Sequence, residues 1–116
     1  MIRRFLIGLA VLFGLNAFLF TSTLEACPFS LLEAMKVGAP IVTSNAGPMP
    51  EFCGDAAIIV DANDADAFAA AAYRVITSKE LQGSLKKKAK RQVEEFSWER
   101  STKKLIAALD RAACEF

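Results

Sequence analysis

Three short apolar runs set the frame of this chain: Ala17-Phe-Leu-Phe20, Pro40-Ile-Val-Thr-Ser44 and Ala56-Ala-Ile-Ile-Val60. A helical segment separates the first two and a loop rich in breakers separates the second two. Runs this short and this continuously apolar suit strands buried on both faces. Strands that alternate with helices pair in parallel and are joined by right-handed crossovers. The expectation is an α/β fold with a short parallel sheet and a helical C-terminal tail. Ligands of such sheets bind beyond the carboxyl ends of the strands. Glu25, Asn45 to Glu51 and Asp61 all fall at that edge.

Local signals divide the rest. Ser30-Leu-Leu-Glu33 matches a capping box and predicts a helix start at Ser30, with Leu31, Ala34 and Met35 as its buried stripe and Gly38 as its stop. Pro48 and Pro50 mark a loop, with one short helical turn beginning at Glu51 and Phe52. Asp61-Ala-Asn-Asp64 supplies acceptors for the cap of a helix that runs to about Ile76. Thr77-Ser-Lys-Glu80 matches a second capping box, opening a helix with Leu81, Leu85, Ala89, Val93 and Phe96 on one side. Ser97 caps the last helix, whose apolar face holds Trp98, Leu105, Leu109 and Ala112. Trp98 reads as a packing anchor and Lys86-Lys-Lys-Ala-Lys-Arg91 as a solvated face.

Composition excludes several classes of function. The chain has 116 residues, 53% of them hydrophobic, and a net charge of +1. It therefore offers no electrostatic case for nucleic acid, which needs a clearly basic face. Cys27, Cys53 and Cys114 are odd in number and widely spaced, and there is no histidine. They read as reduced structural thiols, with no metal-ligand spacing and no cofactor implied. Without histidine, acid–base chemistry falls to carboxylates or to another chain.

The N terminus admits two readings. Met1-Ile-Arg-Arg4 precedes an apolar run from Phe5 to Leu15, as in a signal peptide or membrane anchor. Alternatively residues 2–15 form a helix of the domain and 17–22 its first strand. Periodicity does not choose between them, because a buried helix and a targeting segment are both continuously apolar. On the first reading the protein is secreted or membrane-associated; on the second it is cytoplasmic.

The chemistry concentrates at Glu25-Ala-Cys-Pro-Phe-Ser-Leu-Leu-Glu33. One acid sits in a loop and the other in the expected first helical turn. Helix N-termini attract phosphate, and carboxylates accept hydrogen bonds from sugar hydroxyls. A nucleotide-sugar carries both groups. As a bland counter-reading, Glu33 is simply the partner of a capping Ser30. Glu51, Asp55 and Asp61 read as helix-start, turn and cap residues.

The blocks Ser22-Thr-Leu-Glu25, Leu31-Leu-Glu33-Ala-Met35, Gly38-Ala-Pro-Ile-Val42, Gly47-Pro-Met-Pro-Glu51, Gly54-Asp-Ala-Ala57 and Phe96-Ser-Trp-Glu99, in this order, resemble a known family. They look like the C-terminal, donor-binding domain of GT-B glycosyltransferases of the retaining family 4 type. The resemblance covers about Asn16 to Leu109 and implies half of a Rossmann-like domain over 16–116, after an apolar segment at 1–15. It implies that Glu25 contacts the transferred sugar and Glu33 the ribose hydroxyls. The backbone amides around Phe29, Ser30, Leu31 and Leu32 would face the diphosphate. No residue is assigned as catalytic, and no metal site is implied.

Two departures matter. The family's loop after the first glutamate is glycine-rich, of the Glu-Gly-Phe-Gly type. Here it is Glu25-Ala-Cys-Pro28, and Pro28 has no amide proton to donate. The family also has an acceptor domain and a first half of the donor domain, with an arginine and a lysine that neutralise the leaving diphosphate; neither part is in this sequence. The resemblance thus implies a truncated form with little activity alone, whose acceptor domain is on another chain. The alternative is a small anchored or secreted non-enzymatic domain that keeps the fold.

Overall fold

A computed structural model describes residues 16–115. The apolar segment 1–15 lies outside the described residues; of the first strand expected over 17–22, Phe18–Phe20 is extended.

Strand β1 (Phe18–Phe20) leads to helix α1 (Phe29–Val37), β2 (Ile41–Ser44), the short α2 (Met49–Cys53), β3 (Ala57–Val60) and three helices. These are α3 (Ala65–Thr77), α4 (Lys79–Val93) and α5 (Trp98–Cys114). The sheet is parallel, in the order β1-β2-β3. Phe18 stands opposite Ile41, and Ile41 opposite Ala57. The expected α/β architecture is therefore the observed one.

Strand β2 lies in the middle and is buried throughout. Its side chains alternate between two packed layers, as the pleat requires. Ile41 joins Leu31, Ala34 and Met35 of α1, Met49 and Cys53 of α2, and Ala89 of α4. Val42 joins Phe68, Ala71 and Val75 of α3 and Leu85 of α4. Helix α4 thus contributes to both cores, with Leu85 on one side and Ala89 on the other. Its basic residues Lys86, Lys87, Lys90 and Arg91 are exposed, as a solvated face should be. Lys88 and Arg91 lie 3.4 and 3.5 Å from Asp55, at separations that contribute little in water.

Three local expectations are corrected. Helix α1 starts at Phe29, with Pro28 at the N-cap and no side-chain cap. Proline's fixed φ and missing N–H suit a helix entrance, so the helix begins one residue early. Ser30 becomes its second residue, where its hydroxyl cannot cap, and the Ser30–Glu33 box does not form. The second box is out of register by one: Ser78, not Thr77, accepts from the Leu81 amide at 3.1 Å. The Thr77 hydroxyl instead donates to the Tyr73 carbonyl at 2.7 Å, inside α3. Lastly, Trp98 is not an anchor. It is 80% exposed, and α5 buries none of its residues. The caps at Asp64 and Ser97 are as expected, accepting from Ala67 at 2.8 Å and Arg100 at 3.1 Å.

Buried polar groups are matched. Gln82, 4% exposed, donates through Nε2 to the Val75 and Ile76 carbonyls at 2.9 and 3.2 Å, closing the end of α3. Gln92 Nε2 donates to the Phe52 carbonyl at 3.2 Å and ties α4 to α2. Cys27, Cys53 and Cys114 are all free thiols.

Two outcomes follow. A Cβ at Gly83 meets nothing within 4 Å, so Gly83→Ala should raise stability by about 0.5–1 kcal/mol in denaturant unfolding. Burial pushes the Cys53 thiol from 9.0 up to about 11. At about pH 8, Ellman's reagent should therefore label exposed Cys27 and Cys114 but reach Cys53 only on unfolding. With rising pH the unfolded chain loses this proton first, so the thiol's contribution to stability should be intact below pH 9.0 and lost towards about pH 11.

Candidate donor site at the sheet edge

The loops after all three strands meet at the carboxyl edge of the sheet. The Asn45 amide donates to the Val60 carbonyl at 2.8 Å, and Asn45 Oδ1 accepts from the Ala62 amide at 3.1 Å. These bonds join the loops after β2 and β3. Gly47 brings the β2 loop onto the β1 loop. A Cβ there would lie 3.5 Å from the Glu25 carbonyl oxygen, and its φ of +53° is one that glycine adopts without strain.

Hydroxyl groups fasten the β1 loop from below. Thr43 and Ser44, both fully buried at the end of β2, donate to the Phe20 carbonyl at 3.1 Å and the Ser22 carbonyl at 2.6 Å. Ser22 Oγ in turn lies 3.1 Å from Glu25 Oε1, which accepts its proton. Glu25 is half-buried in this loop, and its second oxygen has no protein partner among the described residues.

Each sequence-predicted site residue can now be placed. Glu33 is the fifth residue of α1, not part of its first turn, and is half-buried. It accepts no side-chain hydrogen bond or ion pair among the described residues. The capping role is gone, so its carboxylate is uncommitted. Phe29 and Ser30 are exposed, Leu32 is half-buried, and Leu31 is fully buried in the core. Most of the entrance amides are already engaged. Phe29 donates to the Cys27 carbonyl at 2.9 Å, and Leu31 and Leu32 donate to the Pro28 carbonyl at 3.0 and 3.4 Å. Among these four, the Ser30 amide alone has no acceptor among the described residues.

The other acids serve the chain itself. Asp61 Oδ1 accepts from the Asn63 amide at 2.8 Å, forming a turn, and Asp55 faces Lys88 and Arg91. Glu51 lies exposed in the first turn of α2. Among the described residues no three His, Cys, Asp or Glu side chains are grouped to hold a metal. Beside α1, an apolar cleft of about 330 Å³ is lined by Phe29, Leu32, Phe52, Phe96 and Trp98. Two of these, Phe52 and Phe96, stack with ring centroids 4.8 Å apart.

Sequence reasoning placed Gly47 at the sheet edge without giving it a role and did not assign Ser44 a part in the site. The signals were present as two hydroxyl residues ending a strand and a glycine inside a proline-flanked loop. They acquire meaning only when β1 and β2 are set in register.

Comparison with known proteins identifies the fold's relatives. Residues 10–92 match the family model "Glycosyl transferases group 1". The O-antigen chain mannosyltransferase B of Escherichia coli is 34% identical over 93 residues, which is 80% of this chain and 24% of that protein. The MMP alpha-(1->4)-mannosyltransferase of Mycolicibacterium hassiacum is 34% identical over 95 residues, 78% of this chain and 23% of the relative. A sucrose-phosphate synthase from Thermosynechococcus elongatus superposes with a TM-score of 0.72 at 25% identity, over 84% of this chain and 26% of that structure. The chain therefore spans about a quarter of the length of each. With the family model covering most of its length, the chain belongs to the glycosyl transferases group 1 family.

Proposed function

We propose that this chain is the donor-binding part of a nucleotide-sugar-dependent glycosyltransferase. The observation that carries the proposal is the state of the two glutamates. Glu25 lies in the loop at the sheet edge and Glu33 on the helix that follows it; both are half-buried, and each keeps carboxylate oxygens without a side-chain partner among the described residues. In this reading Glu25 holds the sugar and Glu33 the ribose diol. A carboxylate suits a vicinal diol because its two oxygens accept together, in charge-assisted bonds.

The diphosphate lies towards the entrance of α1. Among the described residues the Ser30 amide is the unengaged donor of the set that runs from Phe29 to Leu32, and the aligned peptides of the helix add their positive end. Leu31 and Leu32 position this entrance through the core rather than by contact. The complete reaction moves the sugar to an acceptor hydroxyl with retention, chiefly by stabilising the departing diphosphate. The basic groups for that step are supplied outside this sequence.

An acceptor domain on another chain is the partner in this reading. Its support is the face of α5, where Trp98, Leu105, Ile106 and Leu109 are each more than half exposed. A helix with such a stripe is completed by burial against another surface. Among the described residues no helix is long and apolar enough to cross a membrane.

The test is binding followed by turnover. The purified chain should bind UDP- or GDP-sugars weakly, and Glu33→Ala should lower that affinity by on the order of tenfold in calorimetry. Unchanged binding in Glu33→Ala would remove the site. The chain alone should show no sugar transfer, and turnover would overturn its dependence on a partner.

A further inference from the structure

We infer that Ser22 is a positioning residue that fixes the carboxylate of Glu25 through a relay of hydroxyls anchored in the sheet. The inference rests on the donor-site reading above and goes further by naming what aims its sugar contact.

The relay starts in a rigid place. Ser44 is fully buried at the end of the central strand, where packing on both sides allows little movement. Its hydroxyl donates to the Ser22 carbonyl at 2.6 Å and accepts from the Ala46 amide at 3.4 Å. One side chain thereby ties the loop after β1 to the loop after β2. Ser22, held at its carbonyl, places its Oγ 3.1 Å from Glu25 Oε1 and 3.1 Å from the Leu24 carbonyl. A hydroxyl has one proton to donate, so these two acceptors share it. The carboxylate is the stronger acceptor because it is charged.

This anchoring matters because Glu25 sits in a loop that lacks other side-chain support. It has no ion pair among the described residues, and the following Ala26 and Cys27 are exposed. A free glutamate side chain samples several rotamers. Fixing one oxygen by Ser22 leaves the other without a partner among the described residues. The ordering entropy is then spent on folding and not on binding, which is what preorganisation means for a ligand contact.

The consequence is selective. Ser22 acts on the sugar end of the donor and leaves the nucleotide end alone, because Glu33 and the α1 entrance do not depend on it. The experiment uses the full chain with isotope-labelled glutamate. Three-bond couplings of Glu25 report its rotamer, and titrations compare GDP-mannose with GDP and UDP-glucose with UDP. Ser22→Ala should average the Glu25 couplings and weaken the sugar nucleotide by on the order of tenfold. The nucleoside diphosphate should bind as before. Ser22→Thr keeps the hydroxyl and should restore both readouts.

Glu25 couplings unchanged in Ser22→Ala would overturn the inference. So would equal weakening of the sugar nucleotide and its diphosphate, since a structural role moves both. If the wild-type chain binds none of the four ligands, the donor-site reading fails, while the couplings still decide whether Ser22 holds Glu25.

Discussion

Everything in this domain hangs on the burial of β2. Four residues, Ile41 to Ser44, are enclosed on both faces, and they divide into two jobs. The first two are apolar and point into opposite cores, joining α1 and α2 on one side and α3 on the other. The last two are hydroxyl residues whose buried donors are satisfied by carbonyls at the end of the neighbouring strand and in its exit loop. A valine in place of Thr43 would fill similar space but remove the donor to the Phe20 carbonyl. The apolar half of the strand therefore holds the layers together, and the polar half shapes the edge where a ligand would sit.

The domain's other organising element is α4. It packs against both cores at one end of the sheet, with Leu85 and Ala89 a turn apart facing different clusters. Gln82 and Gln92 extend this role by donating to carbonyls of α3 and α2. A helix of negative mean hydropathy can do this because few of its residues are needed for contact. The rest are lysines and arginines that keep the outer face in water.

The layout of strands and helices was legible in the sequence because each strand is short, apolar and bounded by breakers. The family was legible because several blocks keep their order over most of the chain, and the family match at residues 10–92 agrees. Fine register was less legible. At α1 a serine and a glutamate at capping spacing pointed to Ser30, yet Pro28 started the helix first. At α4, Thr77 and Ser78 are adjacent acceptors, and only the geometry of the α3 terminus selects Ser78. Trp98 shows a different limit. Its place in an amphipathic stripe was readable, but a stripe does not say whether its covering surface belongs to the same chain. The hydroxyl relay to Glu25 was hidden because it joins residues more than twenty positions apart, Ser22 and Ser44.

Helix α5 carries a consequence for how the molecule comes apart. It spans 17 residues and places none of them in the interior. Among the described residues its support is mainly local: the Ser97 cap, the Glu99–Lys103 bond at 2.7 Å, the Arg100–Glu95 pair at 2.6 Å, and intrinsic propensity. Such a helix is near the length at which isolated helices become marginal in water. A helix with so little burial is expected to open as a separate cooperative unit while the sheet and its two cores stay closed. Heating would then melt the helical tail ahead of the globular part, and the fluorescence of Trp98, which sits on the tail, would change before the ellipticity of the rest.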